Sequence, residues 1–280
     1  MSSVTFVFDP KEGLGDGFLT PVYFDNEVLV KHLYSKTNAV EFASETYGTI
    51  YWPDHYMSFG INAQGAVIAW LGDLQDQPAA EQHHWREHNI PAQHDMKSEF
   101  YDAQIDAQFT QSPIAIQTIN ELEKWNAAFA GKHGLRLYKP TSFKDRIEAV
   151  RRCRRIIIQS EDDFIRFISE LNEIINENVN TDEIRKLLKG KNVAFKDGSK
   201  GNKLLEVVYR DVLGDTTNLI EPFFMLYDVR LWADHDMGDK LLQGVCAKLG
   251  ITDLTDFEAI LTALLERLRG ALKKLSATYG

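Results

Sequence analysis

Two hydrophobic periods divide the chain. Up to about residue 135, short aromatic and β-branched runs alternate with polar positions or stop at turn residues. The clearest example is His55-Tyr-Met-Ser-Phe-Gly-Ile, then Asn62-Ala-Gln-Gly65, then Ala66-Val-Ile-Ala-Trp-Leu, which predicts a β-hairpin around a four-residue turn. Thr46 to Tyr51 predicts another strand, closed by Pro53. Residues 97 to 110 alternate apolar and polar from Tyr101 onward, as a half-buried strand would. Glu27 to Tyr34 is a short helix or strand, and Ile114 to Ala130 has helical spacing ending at Gly131.

Beyond residue 140 the period is helical. Ser142 and Ser160, each with Asp three residues on, open the first two helices, the first running to about Ile158. Phe164, Phe167, Ile168, Leu171, Ile174 and Ile175 form one stripe of the second. Thr181 to Leu188, Lys200 to Leu213 and Lys240 to Leu249 follow, each stopped by Gly, and Asn218 caps a helix with Pro222 in its first turn. Thr255 opens a last helix through Leu275. The expected fold class is α+β: an N-terminal domain of residues 1–135 with an antiparallel sheet, and an all-α bundle over 141–280.

Charge narrows the functions. Lys+Arg 31 against Asp+Glu 41 gives a formal net charge of -10, which argues against coating nucleic acid non-specifically but allows a small basic site. The two cysteines, Cys153 and Cys246, lack the spacing of a metal knuckle and read as reduced thiols. The amino terminus lacks the pattern of a secretory signal, and no apolar run approaches the roughly 20 residues that span a bilayer. A soluble cytoplasmic protein is expected, with no membrane partner.

In the first half, His83, His84, His88 and His94 cluster, and His84 and His88 would share a helix face as paired metal ligands do. Asn89-Ile-Pro91 ends any helix there, and no Glu is placed as in the His-Glu-x-x-His hydrolase signature, so a polar surface helix is the competing reading. No metal or cofactor is expected. Asp102 and Asp106 would share a strand face, beside Glu99, as a carboxylate pair for acid–base work or as an outer solvated surface. Ser44-Glu-Thr-Tyr-Gly-Thr-Ile and Ser98-Glu-Phe-Tyr-Asp-Ala-Gln-Ile resemble stretches of uncharacterised bacterial proteins.

In the second half, Arg151, Arg152, Arg154 and Arg155 form a basic run suited to phosphates, or a solvated face paired with Glu161, Asp162 and Asp163. Later, Tyr-Asp-Val-Arg230-Leu-Trp-Ala-Asp234-His235 sets an Arg and a His five apart. This element, late in an all-α domain, resembles the Arg-x4-6-His motif of the HEPN superfamily of helical ribonucleases and nucleotide-binding domains. The resemblance covers the second half only. It implies Arg230, Asp234 and His235 as catalytic residues, the arginine run as RNA guide, and two protomers sharing one cleft. On the residues alone, Arg230 paired with Asp234 one turn away is the alternative.

The expected function is therefore a metal-independent endoribonuclease of a bacterial toxin or antiviral-defence type, with RNA as partner. The alternative is a non-enzymatic module that binds a partner or ligand through its N-terminal domain. A homodimer is expected through the last helix, whose stripe of Phe257, Ile260, Leu261, Leu264, Leu265 and Leu268 continues to Leu272 and Leu275.

Overall fold

The computed structural model describes residues 17–33, 35–92, 94–139, 158, 160–234 and 240–280, without the side chain of residue 234. The chain forms two compact units, Met1–Pro113 and Ile114–Gly280. The class is α+β: an antiparallel sheet lies in the first unit and helices make up the described part of the second.

The first unit is built on a five-stranded sheet in the order β1 (Pro21–Phe24), β5 (Val67–Trp70), β4 (Tyr56–Ile61), β3 (Tyr47–Tyr51), β2 (Ala39–Phe42). The expected hairpin is β4–β5, in the register Gly60↔Ile68 and Ile61↔Val67. Its turn needs Gly65, which sits at φ 81°, and Asn62 Oδ1, which accepts the Gln64 and Ala66 N–H groups. A 3₁₀ turn (Asn26–Leu29) leads into α1 (Val30–Leu33), and α2 (Leu71–Gln75) and α3 (Ala79–Glu87) follow the sheet.

Residues 97–110 contain no strand. Ser98 caps a short helix, α4 (Glu99–Gln104), by accepting the Tyr101 N–H. Phe100, ahead of the alternating stretch, is the residue buried, against Tyr47 and Trp70. The helix packs so closely that a side chain at Gly60 would come within 2.8 Å of Phe100. Asp102 and Asp106 therefore do not share a strand face. Glu99 accepts from the Thr46 N–H and hydroxyl, which ties α4 to the sheet.

The second unit starts earlier than the change of texture suggests. Helix α5 (Ile114–His133) was expected in the N-terminal domain, but Ala115, Ile119, Leu122, Trp125 and Phe129 join the core of the helical unit. It runs beside the last helix, α11 (Phe257–Tyr279), in the same direction: the Thr118 hydroxyl donates to Leu265 O and Lys132 to Tyr279 O. Trp125 Nε1 also donates to the Tyr209 hydroxyl at 3.1 Å. The boundary is therefore at Pro113, not between 135 and 141.

Between these partners lie α6 (Glu161–Asn172), a π-helical turn (Glu173–Glu177), α7 (Thr181–Gly190), α8 (Gly201–Val207), a second π turn (Val208–Val212), α9 (Glu221–Asp234) and α10 (Lys240–Leu249). Ser160 caps α6 as expected, whereas Asp256, not Thr255, caps α11. The helix expected over Ser142 to Ile158 lies almost wholly outside the described residues, as does Cys153. Ile260, Leu261, Leu264, Leu265, Leu268, Leu272 and Leu275 are all buried in the unit's own core. The stripe thus completes the monomer, and the argument for a dimer built on it falls. No described helix is long and apolar enough to cross a membrane.

Candidate functional site

Of the residues singled out for catalysis or RNA guidance, only Arg230 has a described side chain. It is half-buried near the end of α9, which runs through Asp234. His235 and the run Arg151, Arg152, Arg154 and Arg155 lie outside the described residues, so the structure neither assembles nor separates the expected set. Arg230 stands three residues beyond Tyr227, and such residues neighbour each other on one helix face.

That neighbour belongs to a cleft. Phe224, Tyr227 and Asp228 of α9 form one wall of a concavity of about 1030 Å³. The π turn after α6 supplies Asn176 and Glu177, and α6 itself supplies Asn172. A π turn carries one residue more than an α turn and recurs at functional sites, because it re-aims side chains that regular helix would point elsewhere. Lys139 reaches the rim because residues 137–139 lie antiparallel to 178–180, with Lys139 N–H donating to Asn178 O and Asn180 N–H to Leu137 O.

Much of the rest of the rim is the loop Lys196-Asp-Gly-Ser-Lys200 and the first turn of α8, Gly201-Asn-Lys203. Gly198 turns the chain at φ 82°, and Arg185 of α7 fastens the loop by donating through Nη2 to Ser199 O at 2.8 Å. Lys203 lies 4.5 Å above the Phe224 ring, a cation–π contact that keeps its ammonium at the mouth. Four lysines (139, 196, 200 and 203) thus face three acids (Glu177, Asp197 and Asp228), against 31 basic to 41 acidic residues in the chain. The cleft is a locally basic place on an acidic protein. Burial pushes the Asp228 carboxyl above its usual pKa, with Lys248 pulling the other way.

Beneath the rim runs a chain of amides. Asn172 Nδ2 donates to Glu177 at 2.9 Å, and Asn176 Nδ2 donates to Asn172 Oδ1 at 2.8 Å and to the Phe223 carbonyl at 3.2 Å. Asn202 Nδ2 donates to the same Phe223 carbonyl at 3.0 Å. Three elements are thereby tied together under one concavity. Sequence reasoning passed over this site, although three lysines within eight residues around Gly198 and Ser199, and asparagines four apart in an apolar helix, were its signals.

Arg185→Ala tests how the rim is held. We expect it to cost about 1 kcal/mol and to speed amide exchange at residues 196–201 selectively, because a charged donor is lost from a partly exposed site. Unchanged exchange there would show that the loop holds itself.

In the first unit His84 is tied into the packing. His84 Nε2 donates to Val28 O at 2.9 Å, and its ring meets His88 at 4.9 Å edge to face. His83 and His94 are exposed, and His94 sits at φ 55°. Among the described residues, no three His, Cys, Asp or Glu side chains are grouped to hold a metal ion. Comparison with known proteins yields no matching family model, no matching curated protein and no matching solved structure, so the cleft and Arg230 stand on their own chemistry.

Proposed function

We propose that the helical unit binds RNA and cleaves it without a metal ion. The observation that carries this reading is the placement of Arg230 on α9 beside the wall of a lysine-rimmed cleft. Phosphate binding on a protein of net charge -10 needs local counter-charge, and the four lysines provide it. RNA carries its own nucleophile: the 2′-hydroxyl attacks the adjacent phosphorus, the bond to the 5′-oxygen breaks, and a 2′,3′-cyclic phosphate and a 5′-hydroxyl result. Under the HEPN resemblance His235 moves the proton from the 2′-oxygen to the leaving oxygen, and Arg230 stabilises the charge that gathers on phosphorus oxygens. The same resemblance counts Asp234 in the catalytic set and gives Arg151, Arg152, Arg154 and Arg155 the part of guiding the RNA backbone. A second protomer would contribute through a surface other than the buried stripe of α11.

The second reading is a binding module, favoured by the tip of the β3–β4 hairpin. Tyr51 and Tyr56 stand opposite each other, rings 6.2 Å apart and 41% and 68% exposed, as a partner-facing aromatic edge.

An RNA pool incubated with the full chain in EDTA separates the two. We expect cleavage by the wild type and a fall of about 100-fold or more in both Arg230→Ala and His235→Ala, with unchanged circular dichroism. Cleavage that survives both changes, or a wild type that neither binds nor cuts RNA, overturns the ribonuclease reading.

A further inference from the structure

The amide chain leaves two acceptors over. Asn176 and Asn202 are 7% and 8% exposed, both line the cleft, and neither Oδ1 accepts a hydrogen bond from the described residues. Their orientation is fixed. The Phe223 carbonyl can only accept, so both amides must turn nitrogen towards it and oxygen away. A buried acceptor left unmet costs about 1–3 kcal/mol, a cost that an N–H donor brought by a ligand would remove. No rim lysine meets these oxygens. The nearby lysines serve other partners or solvent, Lys203 lying over Phe224 and pairing with Glu206 at 3.3 Å.

The ligand this combination fits has two ends. One is anionic, for Lys139, Lys196, Lys200 and Lys203; the other carries N–H groups, for the two amide oxygens. The aromatic rings of Phe224 and Tyr227 line the same cleft and suit a flat, stackable body. A nucleotide has all three parts.

We propose that the cleft holds one nucleotide and reads the exocyclic amino group of its base: the amino group of adenine or cytosine donates to Asn176 and Asn202 while the phosphate lies among the lysines. An amino group offers the hydrogens that these amide oxygens can accept. Hypoxanthine and uracil present a carbonyl at the corresponding position, which would face the amide oxygens with no hydrogen to offer. The oxygens are shielded from bulk solvent, where a directional hydrogen bond discriminates most strongly. Reaching them takes side-chain adjustment of the kind an entering ligand commonly makes. The proposal rests on the RNA reading in taking the anion to be a nucleotide, and it leaves open whether that nucleotide is free or part of a strand.

Calorimetric titration of the full-length protein with AMP, IMP, CMP and UMP, and with short oligoadenylate and oligouridylate, tests it. We expect AMP over IMP, and CMP over UMP, by about tenfold or more. Lys200→Glu should weaken all of them alike, and Asn202→Leu should bring the AMP-to-IMP ratio towards one. The matched nucleotide pairs are compared on wild-type protein, so the outcome does not depend on whether Asn202→Leu folds. Tight AMP with equally tight oligoadenylate identifies a free nucleotide as sufficient; oligoadenylate binding without AMP binding identifies a strand. Equal affinity within both pairs overturns base reading but leaves RNA cleavage standing. Absence of binding by every probe while RNA is still cut removes the cleft from the activity, and absence of both binding and cleavage removes the two proposals together.

Discussion

Expressed alone, residues 114–280 are expected to fold cooperatively, and residues 141–280 are not. The shorter fragment lacks α5, whose Ile119, Leu122, Trp125 and Phe129 are buried in the helical core. Burial of one such side chain contributes about 1.5–3 kcal/mol, so these four account for roughly 6–12 kcal/mol, comparable to the whole net stability of a domain. Their removal would uncover a long strip of α11 as well. Chemical denaturation followed by circular dichroism checks this: a sigmoidal transition for 114–280 and a broad, aggregation-prone one for 141–280. In the full chain, Trp125→Ala samples the same interface and should cost about 3–5 kcal/mol, since it also takes a donor from the Tyr209 hydroxyl. Equal stability of the two fragments would mean that α5 only rests on a core complete without it.

Acid should loosen the first unit through His32. This imidazole is fully buried, with its ring edge-on to Trp52 at 5.3 Å and against Trp85 and His84. Its Nδ1 lies 3.3 Å from the Asn38 amide nitrogen and so accepts from it, which leaves the proton on Nε2, 3.5 Å from Glu81. Burial lowers its pKa from 6.5 to about 4, outweighing the pull of Glu81 in the other direction, with His84 and Lys31 adding to the fall. Because the folded value lies below the unfolded one, the unfolded chain takes up a proton first as pH drops. Stability from this residue is whole above pH 6.5, declines between 6.5 and about 4, and levels off below that. The full effect is at most about 3 kcal/mol. Denaturation read by tryptophan fluorescence at neutral and mildly acidic pH should show this slope in the wild type and a shallower one in His32→Phe. Identical slopes would assign the acid sensitivity to other groups.

How much of this could be read from residues alone depends on how local the deciding interaction is. The β4–β5 hairpin was legible because alternation, Asn62 and Gly65 all act within a few residues of each other. The stretch after Ser98 was misread because Tyr101, Ala103 and Ile105 do alternate. What decides there is one cap and one ring, Ser98 on the Tyr101 N–H and Phe100 into a pocket made by Tyr47 and Trp70 from distant strands. The period of α5 was plain, but a stripe does not name its partner: sheet and bundle would both accept Trp125 and Phe129. The cleft was the least legible feature, since its parts come from residues 139, 172–181, 196–203 and 224–228 and no short pattern joins them. The Arg230-x4-His235 element, by contrast, was visible at once, and the structure adds to it a neighbourhood and not a geometry.

The π turn at Glu173–Glu177 makes the cleft depend on a count. Each residue of an α-helix advances the chain by about 100° around the axis, so one surplus residue swings everything after it by that angle. Asn176 and Glu177 lie within this turn, and Val179 and Thr181, which also line the cleft, come after it. Loss of a single codon in that stretch would let the helix take its ordinary winding and would turn the chain that follows, Val179 and Thr181 included, by about 100°. A lineage could thus abandon the pocket in one step and gain a sounder helix by doing so. Keeping the extra residue has an energetic disadvantage that only use of the pocket would offset.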